Sequence, residues 1–255
     1  MMRRKAILVC AATGWLTVGP GWSAGASEPR TYHLHLEAGA IWQDRNKVQI
    51  PNDQDGDEFS LQDIAGSGPW PALRLEGDTQ ISGRHGIRLV YAPLSYSESG
   101  QLPEDTRFAG ETYLADTRVK AEYKFNSWRV GYRYHLYERP QWDVWLGATL
   151  NIRDAKIELT QGATNSQDDD LGVVPLLYLA GEYRFAERFS VSADLDGLAG
   201  GPGRVLDLGI RLNYRMDDRW QVGVGYRTLE GGVDNDDVYN FTWFNSLLFV
   251  VDYTL

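Results

Sequence analysis

The chain has 255 residues and carries 25 Lys and Arg against 35 Asp and Glu, a formal net charge of -10 at pH 7. Phosphate contacts need clustered Lys and Arg, so we expect no nucleic-acid partner. The mean hydropathy of -0.39 allows a soluble exported β-sandwich. It also allows a transmembrane β-barrel, in which every second residue faces the lumen, so the pattern along each strand has to decide.

Residues 1–26 have the composition of a secretory signal peptide. Basic residues at 3–5 precede a mostly apolar run, and small residues lead up to Ala26. Glycine and proline interrupt this run, and a transmembrane helix would need about 20 apolar residues. We predict cleavage after Ala26. This removes Cys10, the single cysteine, and leaves residues 27–255 as one barrel domain without disulfides.

Apolar residues recur at every second position in ten stretches, which is the period of a strand with one apolar face. The apolar rows have about the 9–11 residues that a tilted strand needs to cross the hydrocarbon core. The stretches are 32–42, 70–78, 87–92, 128–136, 142–153, 177–185, 189–196, 206–215, 220–227 and 239–255.

Short turns and mostly longer polar loops alternate between these stretches. Turns at 138–141 and 217–219 contrast with polar loops at 43–68 and 161–171. The stretch 95–117 is predicted to form a β-hairpin that projects beyond the membrane. Short turns of bacterial barrels face the periplasm and long loops face outward, so the alternation also predicts the orientation.

The last stretch carries the most specific signal. Phe249, Val251, Tyr253 and Leu255 form an apolar row of period two that ends with the chain. This closing-strand signature resembles the C-terminal strand of small bacterial outer-membrane β-barrels of eight to ten strands. Leu255 stands where that family usually has Phe, and no motif indicates a subfamily.

The resemblance implies an all-β, antiparallel up-and-down transmembrane β-barrel of about ten strands, with eight or twelve as the alternatives. It further implies a place in the outer membrane of a Gram-negative cell and assembly by the barrel assembly machinery. The expected neighbours are outer-membrane lipid and lipopolysaccharide, and we expect a monomer.

Aromatic residues are predicted to form two belts at the membrane interfaces. One belt comprises Trp42, Trp70, Tyr239 and Trp243, and the other comprises Tyr32, Tyr134, Trp142, Phe189, Tyr214, Trp220 and Tyr253.

Charged residues occupy the rows opposite the apolar ones and should therefore fill the lumen. A ten-stranded barrel leaves little more space than side chains can fill, so a balanced set of charges would plug it. A narrow gated passage is the alternative. The predicted lumen charge network comprises Glu37, Arg74, Glu76, Arg88, Arg129, Arg133, Asp143, Arg153, Glu182, Arg184, Asp194, Asp196, Asp207, Arg211, Arg215 and Arg227.

Enzymatic chemistry finds little support in the sequence. Omptin proteases pair aspartates with a His-Asp unit at the outer rim, and lipid A-modifying acylhydrolases need Ser and His. All four histidines are expected at the inner end of the barrel: His33, His35, His85 and His135. An acidic cluster of Asp194, Asp196 and Asp207 is expected near the outer rim without a histidine partner. We assign no catalytic residue and no cofactor.

Three functions stay open. The first is a structural or surface-interaction barrel with a plugged lumen, the second a narrow small-solute channel, and the third an outer-membrane hydrolase.

Acidic residues are concentrated in the predicted loops. The first loop holds Asp53, Asp55 and Asp57, but the spacing fails the EF-hand template, and we assign no metal site. We expect solvated charges there. The sharper hypothesis is that these loops, with the acidic runs at 168–170 and 234–237, hold divalent ions that bridge to lipopolysaccharide phosphates.

Overall fold

The computed structural model describes residues 31–201 and 203–255, and the predicted signal peptide with its cleavage point lies outside them. Fourteen strands and one short helix are present in this part of the chain. The strands are β1 Tyr32–Gln49, β2 Phe59–Ser60, β3 Trp70–Ser82, β4 His85–Ala92, β5 Ser95–Gln101, β6 Thr106–Phe108, β7 Glu111–Tyr113, β8 Arg118–Glu138, β9 Trp142–Gln161, β10 Thr164–Arg184, β11 Phe189–Gly200, β12 Gly203–Arg215, β13 Trp220–Asp234 and β14 Tyr239–Thr254, and the helix is α1 Leu61–Ala65.

Ten courses of chain form a closed antiparallel barrel, which confirms the predicted fold class. Consecutive courses are neighbours throughout, and β14 pairs with β1 from His33↔Thr254 to Gln49↔Tyr239. Strands β4 and β5 make up one course, because both pair with β8 in the same register. The Leu255 amide donates to the Tyr32 carbonyl at 2.9 Å, so the predicted closing strand closes the barrel up to its last residue.

The apolar rows face outward, as the alternation predicts. Leu146, Leu150 and Phe249 are exposed on the exterior, whereas Thr149 and Asn151 between them on β9 are buried inside. Successive side chains of a strand point to opposite faces, so one sequence pattern gives both an apolar exterior and a polar interior. An exterior of this kind suits hydrocarbon rather than water. No helix among the described residues is long and apolar enough to cross a membrane.

The two ends of the barrel differ. Turns of two to four residues join the strands at one end, which we call the short-turn end. At the opposite, long-loop end, strands β8, β9 and β10 continue past the apolar band as a tall extension. Outward-facing residues of this extension are polar, as at Lys124 and Lys156.

The prediction of a polar loop at 161–171 is wrong. Strand β10 begins at Thr164 and pairs with β9 along its whole length, so only Gly162 and Ala163 form the turn. Gly162 has φ +61, a left-handed conformation that glycine adopts without strain. The segment is polar on both faces because it stands above the apolar band, and no apolar alternation therefore marks it as a strand. For the same reason β1 extends to Gln49 and β13 to Asp234, into stretches predicted as loops.

Loop segments at the long-loop end fold inward and form an apolar core. We call this the lid; it comprises α1, β5 and the β6–β7 hairpin together with the upper parts of β1 and β8. Ser60 caps α1 by accepting from the Gln62 amide at 3.2 Å, and Phe59 packs edge-on against Phe108. The predicted projecting hairpin at 95–117 is thus partly wrong, because β5 is a wall strand and β6–β7 packs over the lumen.

The aromatic residues at the short-turn end lie where a belt is predicted, whereas the belt predicted at the long-loop end is not formed as one row. Tyr32, Trp142, Phe189 and Trp220 are exposed at the short-turn end. Trp70 is not a belt residue, since it is buried in the lid.

Replacing Leu146 with Arg tests the assignment of the exterior. Leu146 lies midway along the apolar row of β9, where Arg costs about 2–4 kcal/mol of folding free energy at the bilayer midplane. Urea unfolding in lipid vesicles should show this loss. Thr160→Arg, on the extension of the same strand, is the matched control and should cost little. Equal, small effects of the two substitutions would contradict a hydrocarbon-facing exterior.

Candidate functional site

The lumen is filled in three layers between the two ends of the barrel. The lid closes the long-loop end, an ionic layer crosses the middle, and a polar cavity opens at the short-turn end. We call the ionic layer the central network. It comprises Glu37, Arg74, Glu76, Arg88, Arg129, Asp194, Asp196, Asp207, Arg211 and Arg227.

Asp196 is the acceptor for one half of the central network. Its carboxylate accepts from Arg129 Nη1 at 2.8 Å and from Arg88. Thr149 Oγ1 donates to the other oxygen at 2.8 Å. The side chain has no solvent exposure, and a buried charge of this kind is tolerated only when it is paired and hydrogen-bonded.

Arg227 organises the other half. Its guanidinium donates to Glu37 Oε2 at 2.9 Å, to Asp207 Oδ1 at 2.7 Å and to Asp194 Oδ1 at 3.0 Å. Asp207 also lies 2.5 Å from Arg129 Nη2, so the two halves form one continuous set of ion pairs across the barrel.

A glycine provides the space that this arrangement needs. Gly209 lies between Asp194 and Arg227 in the strand register, and a Cβ there would stand 2.5 Å from Arg227 Nη2 and 2.9 Å from Asp194 Oδ1. The small residue on the inner face of β12 therefore lets the long Arg227 side chain reach Asp194 on β11.

The central network is balanced in charge. Five arginines meet five carboxylates, and eight of the ten side chains are buried. Arg88 also stacks on the ring of Tyr178, with its Cζ 3.9 Å from the ring centroid. Because each charge has partners on other strands, the network ties together strands that are far apart in the wall and closes the lumen at this level.

The lid closes the lumen a second time. Leu61, Leu102, Phe108, Tyr113 and Leu159 have no exposed surface. The Tyr113 hydroxyl donates to the Leu159 carbonyl at 2.9 Å, which attaches β7 to the wall. The layer is thus an apolar plug with its polar groups satisfied.

A polar cavity of about 470 Å³ opens at the short-turn end. Below the central network, Arg184 lies 2.5 Å from Asp143 and 3.1 Å from Glu182, and Arg133 pairs with Asp78. This second cluster lines the cavity wall rather than crossing the lumen.

The histidines lie at the short-turn end. His135 Nε2 stands 2.8 Å from Asp143 Oδ1, and His35 lies between Asp252 and Glu37. Asp252 is one of the two carboxylates next to His35, and Arg211 is the cationic group next to His35. These His-carboxylate pairs lack a hydroxyl or thiol nucleophile within hydrogen-bond distance among the described residues.

The structure places the predicted lumen residues in three groups. Ten form the central network, and Arg133, Asp143, Glu182 and Arg184 belong to the second cluster, beside the cavity. Arg153 instead pairs with Asp170 at the long-loop end. Arg215 is exposed at the short-turn end.

One further expectation is wrong. Asp194, Asp196 and Asp207 do not form an acidic cluster at the outer rim, because their carboxylates point inward and are buried against arginines. The β11–β12 hairpin is short, so residues near its tip lie level with the middle of the taller neighbouring strands.

Sequence reasoning missed two parts of the site. Thr149 and Tyr178 support the network from inner-facing positions where a charge count overlooks them. The lid was missed because Leu61 and Ile64, one helical turn apart, lie within a mostly polar stretch. That spacing of three residues is the local signal for a short amphipathic helix.

No group of three or more metal-ligating side chains that could hold an ion is present in residues 31–201 and 203–255.

Comparison with solved structures identifies the fold. The outer-membrane protease OmpT of Escherichia coli matches with a TM-score of 0.54 at 11% identity, over 90% of this chain and 99% of that one. The chain has the fold of the small outer-membrane β-barrel proteins. At this identity the likeness shows the fold alone and assigns no activity.

Two further barrels match less closely. Ail, the attachment invasion locus protein of Yersinia pestis, gives a TM-score of 0.40 at 10% identity over 88% of this chain and 99% of its own. Neisserial surface protein A gives 0.35 at 13% identity over 89% and 99%. No protein-family model matches the chain, and no curated protein matches it.

Asp196→Asn tests whether the network stabilises the barrel. The change keeps the shape of the side chain but leaves five arginines with four carboxylates, and breaking a buried pair costs about 3–5 kcal/mol. Urea unfolding in detergent micelles should show a loss of this order. Asp169→Asn, an exposed carboxylate on β10, is the control and should change the unfolding free energy little. An unchanged unfolding free energy in the Asp196→Asn variant would show that the charges of the central network are solvated.

Proposed function

We propose that this protein is exported through a cleaved signal peptide to the outer membrane of a Gram-negative cell. There it would serve as a structural or surface-interaction barrel with a plugged lumen. The long-loop end faces outward and the short-turn end faces the periplasm, as in other bacterial barrels. The observation that carries the proposal is the presence of two seals in series, the lid and the central network.

Each seal excludes solutes in a different way. The lid presents fully buried apolar side chains such as Leu102 and Phe108, which a hydrated ion cannot pass without losing its water. The central network presents fixed ion pairs, and a permeating ion would have to break pairs such as Arg129–Asp207. Because both seals are closed in the part of the chain that the structure describes, the surface that remains for function there is the tall extension of β8, β9 and β10.

A narrow small-solute channel is the second candidate. The observation in its favour is the cavity of about 470 Å³ at the short-turn end, a volume within the range of small-molecule sites. This cavity ends at Asp194 and Arg211 of the central network, so a channel would require both seals to open.

Single-channel recording in planar bilayers separates these functions. We expect the wild-type barrel to be silent, and steady conductance steps would contradict a plugged lumen. Loosening the lid alone with Leu102→Ser and Phe108→Ser, or the network alone with Arg129→Ser and Asp207→Ser, should leave it silent. Only the combined variant should conduct, because the seals act in series. A shift in gel mobility between unheated and heated samples confirms that each variant is folded.

Lipopolysaccharide is the proposed outer-leaflet partner, bridged through divalent cations at the long-loop end. Asp168, Asp169 and Asp170 are consecutive on the upper part of β10, with Asp168 and Asp170 on its inner face and Asp169 on its outer face. Burial raises the pKa of the Asp168 carboxyl, and the negative charges of Asp170 and Asp169, with a smaller effect of Asp237, raise it further. Divalent cations would relieve this repulsion and contact lipid phosphates.

The raised pKa of Asp168 predicts the sign of the effect of pH on the stability of the barrel. Because the folded state raises the pKa of Asp168, its ionised form destabilises the fold, and stability returns as the pH falls through the raised pKa. In a buffer that contains a chelator and no divalent cations, Asp168→Asn should therefore raise the melting temperature at pH 7 and have less effect at acidic pH. Thermal melts at both values test this.

Chelation tests the lipid bridge. In lipopolysaccharide-containing membranes, EDTA should lower the melting temperature of the wild-type barrel, and a variant with Asn at 168, 169 and 170 should respond less. Membranes of phosphatidylcholine alone are the control and should show little response. Unchanged melting after chelation in lipopolysaccharide would count against the cation bridge.

The third candidate, a hydrolase, has no observation in its favour beyond the His-carboxylate pairs. A mass change of lipid A on overexpression would revive it.

A further inference from the structure

The barrel wall contains an interrupted ladder between β3 and the β4–β5 course. Pairing of β3 with β4 begins at Leu75↔Tyr91 and runs toward the short-turn end. Beyond that point β5 pairs with β8, and no pairing of β5 with β3 exists in the described chain. Residues 70–74 and 92–96 therefore face each other without ladder hydrogen bonds. We call these two edges the seam.

The sequence explains why the seam stays open. Pro71 stands on one edge and Pro93 on the other, and neither has an amide hydrogen to donate to a ladder. The Leu94 amide points to the Asn126 side chain at 3.3 Å, and the Leu94 carbonyl accepts from Phe125 at 2.7 Å. The second edge is thereby held toward β8 and away from β3.

The seam opens at the outer edge of the apolar band. Tyr91 and Trp128 stack on the exterior with ring centroids 3.9 Å apart, and Trp and Tyr concentrate where acyl chains meet headgroups. Outward-facing residues of β8 beyond Trp128 are polar, whereas Leu73 beside the seam is apolar and exposed. Open sheet edges are otherwise avoided at membrane depth.

A small cavity of about 60 Å³ lies directly behind the seam. Ala72 and Leu94 contribute to it from the two edges, and it reaches the central network at Arg74, Arg129 and Arg227. Three guanidinium groups and only two carboxylates, those of Glu37 and Asp207, line it. A volume of this size holds about two water molecules at about 30 Å³ each, which is enough for one small headgroup.

Arg74 retains an unused donor at this site. Its side chain is 4% exposed, and its Nε is buried with no hydrogen-bond partner in the described part of the chain. A buried donor without a partner is costly and indicates a missing ligand or water. Since Arg74 lines the cavity from the edge of the seam, an acceptor that enters through the seam would come next to the Arg74 side chain.

Trp70 limits the opening at its outer end. The indole stacks on Tyr96 with centroids 4.0 Å apart and an interplanar angle of 10°. Its Nε1 donates to Glu98 Oε1 at 3.0 Å. The seam is thereby bounded by Trp70 above and by the Leu75↔Tyr91 pair below, and the outward-facing Leu73 and Pro93 line it on the lipid side.

We propose that the seam binds an anionic single-chain amphiphile from the outer leaflet, with a carboxylate or monophosphate headgroup. The headgroup lies in the cavity against Arg74 and Arg129, and the acyl chain stays in the seam and reaches back into the bilayer along Leu73. The small cavity excludes bulky headgroups, and the Arg74 and Arg129 guanidinium groups at its inner end disfavour cations. The inference takes from the proposed function only the membrane setting.

Binding of cis-parinaric acid, a fluorescent C18 fatty acid, to the barrel in phosphatidylcholine nanodiscs tests the proposal. The wild-type barrel should give saturable energy transfer from tryptophan above that of empty nanodiscs. Ala72→Phe fills the cavity and should weaken binding at least tenfold. Ala148→Phe, on the lipid face of β9, is the matched control and should bind as the wild type does. No saturable binding, or equal binding by Ala72→Phe, would overturn the proposal.

Competition identifies the headgroup chemistry. Oleate and oleoyl-lysophosphatidic acid should displace the probe, the first as a carboxylate and the second as a phosphate. Lysophosphatidylcholine with the same chain should not, and equal displacement by it would refute an anion site. Far-ultraviolet circular dichroism and unheated gel mobility report insertion separately. An inserted barrel without binding refutes the seam proposal alone, whereas a barrel that fails to insert refutes the membrane setting.

Discussion

The structure depends on the charge balance of the central network. Ten ionised groups occupy a space from which water is almost excluded, and an unpaired charge there would cost several kcal/mol. The balance is met across the barrel rather than along one strand: Arg88 and Arg129 on neighbouring courses meet Asp196 from the opposite wall. The network can therefore form only when the seven courses that contribute to it are in register. It couples the closure of the wall to the filling of its interior.

The alternation that creates this interior is also what made the fold predictable. On β9, Leu146, Leu150 and Ile152 alternate with Thr149 and Asn151, and a period of two admits a single assignment of faces once one side is lipid. The ten stretches and the closing strand could be predicted because each carries this contrast. The members of the central network could be predicted as inward-facing for the same reason, although their partners could not.

The alternation of apolar and polar residues disappears where a strand leaves the apolar band, and the prediction of strands from the sequence fails there. The upper part of β10 is polar on both faces, so a paired strand at 164–171 has the composition of a loop. Arg153 shows the same effect, since it faces inward but stands above the network and meets Asp170 instead. The prediction for Trp70 fails for a different reason. A lone Trp near a rim fits an interface belt or a buried core equally well, and only the stacking of Trp70 on Tyr96 decides between the two.

Two prolines connect the wall to the interior in a way that alternation cannot reveal. Pro71 and Pro93 lie on neighbouring courses and are 22 residues apart in sequence. The register of β3 against β4, continued past Leu75↔Tyr91, brings them within two residues of the same height. Each alone costs one donor, which a strand edge tolerates. Together they remove donors from both edges of one ladder, so the wall separates at that height. Because the lid and the network close the lumen above and below, this separation gives the buried arginines a lipid-facing approach while the aqueous path stays shut.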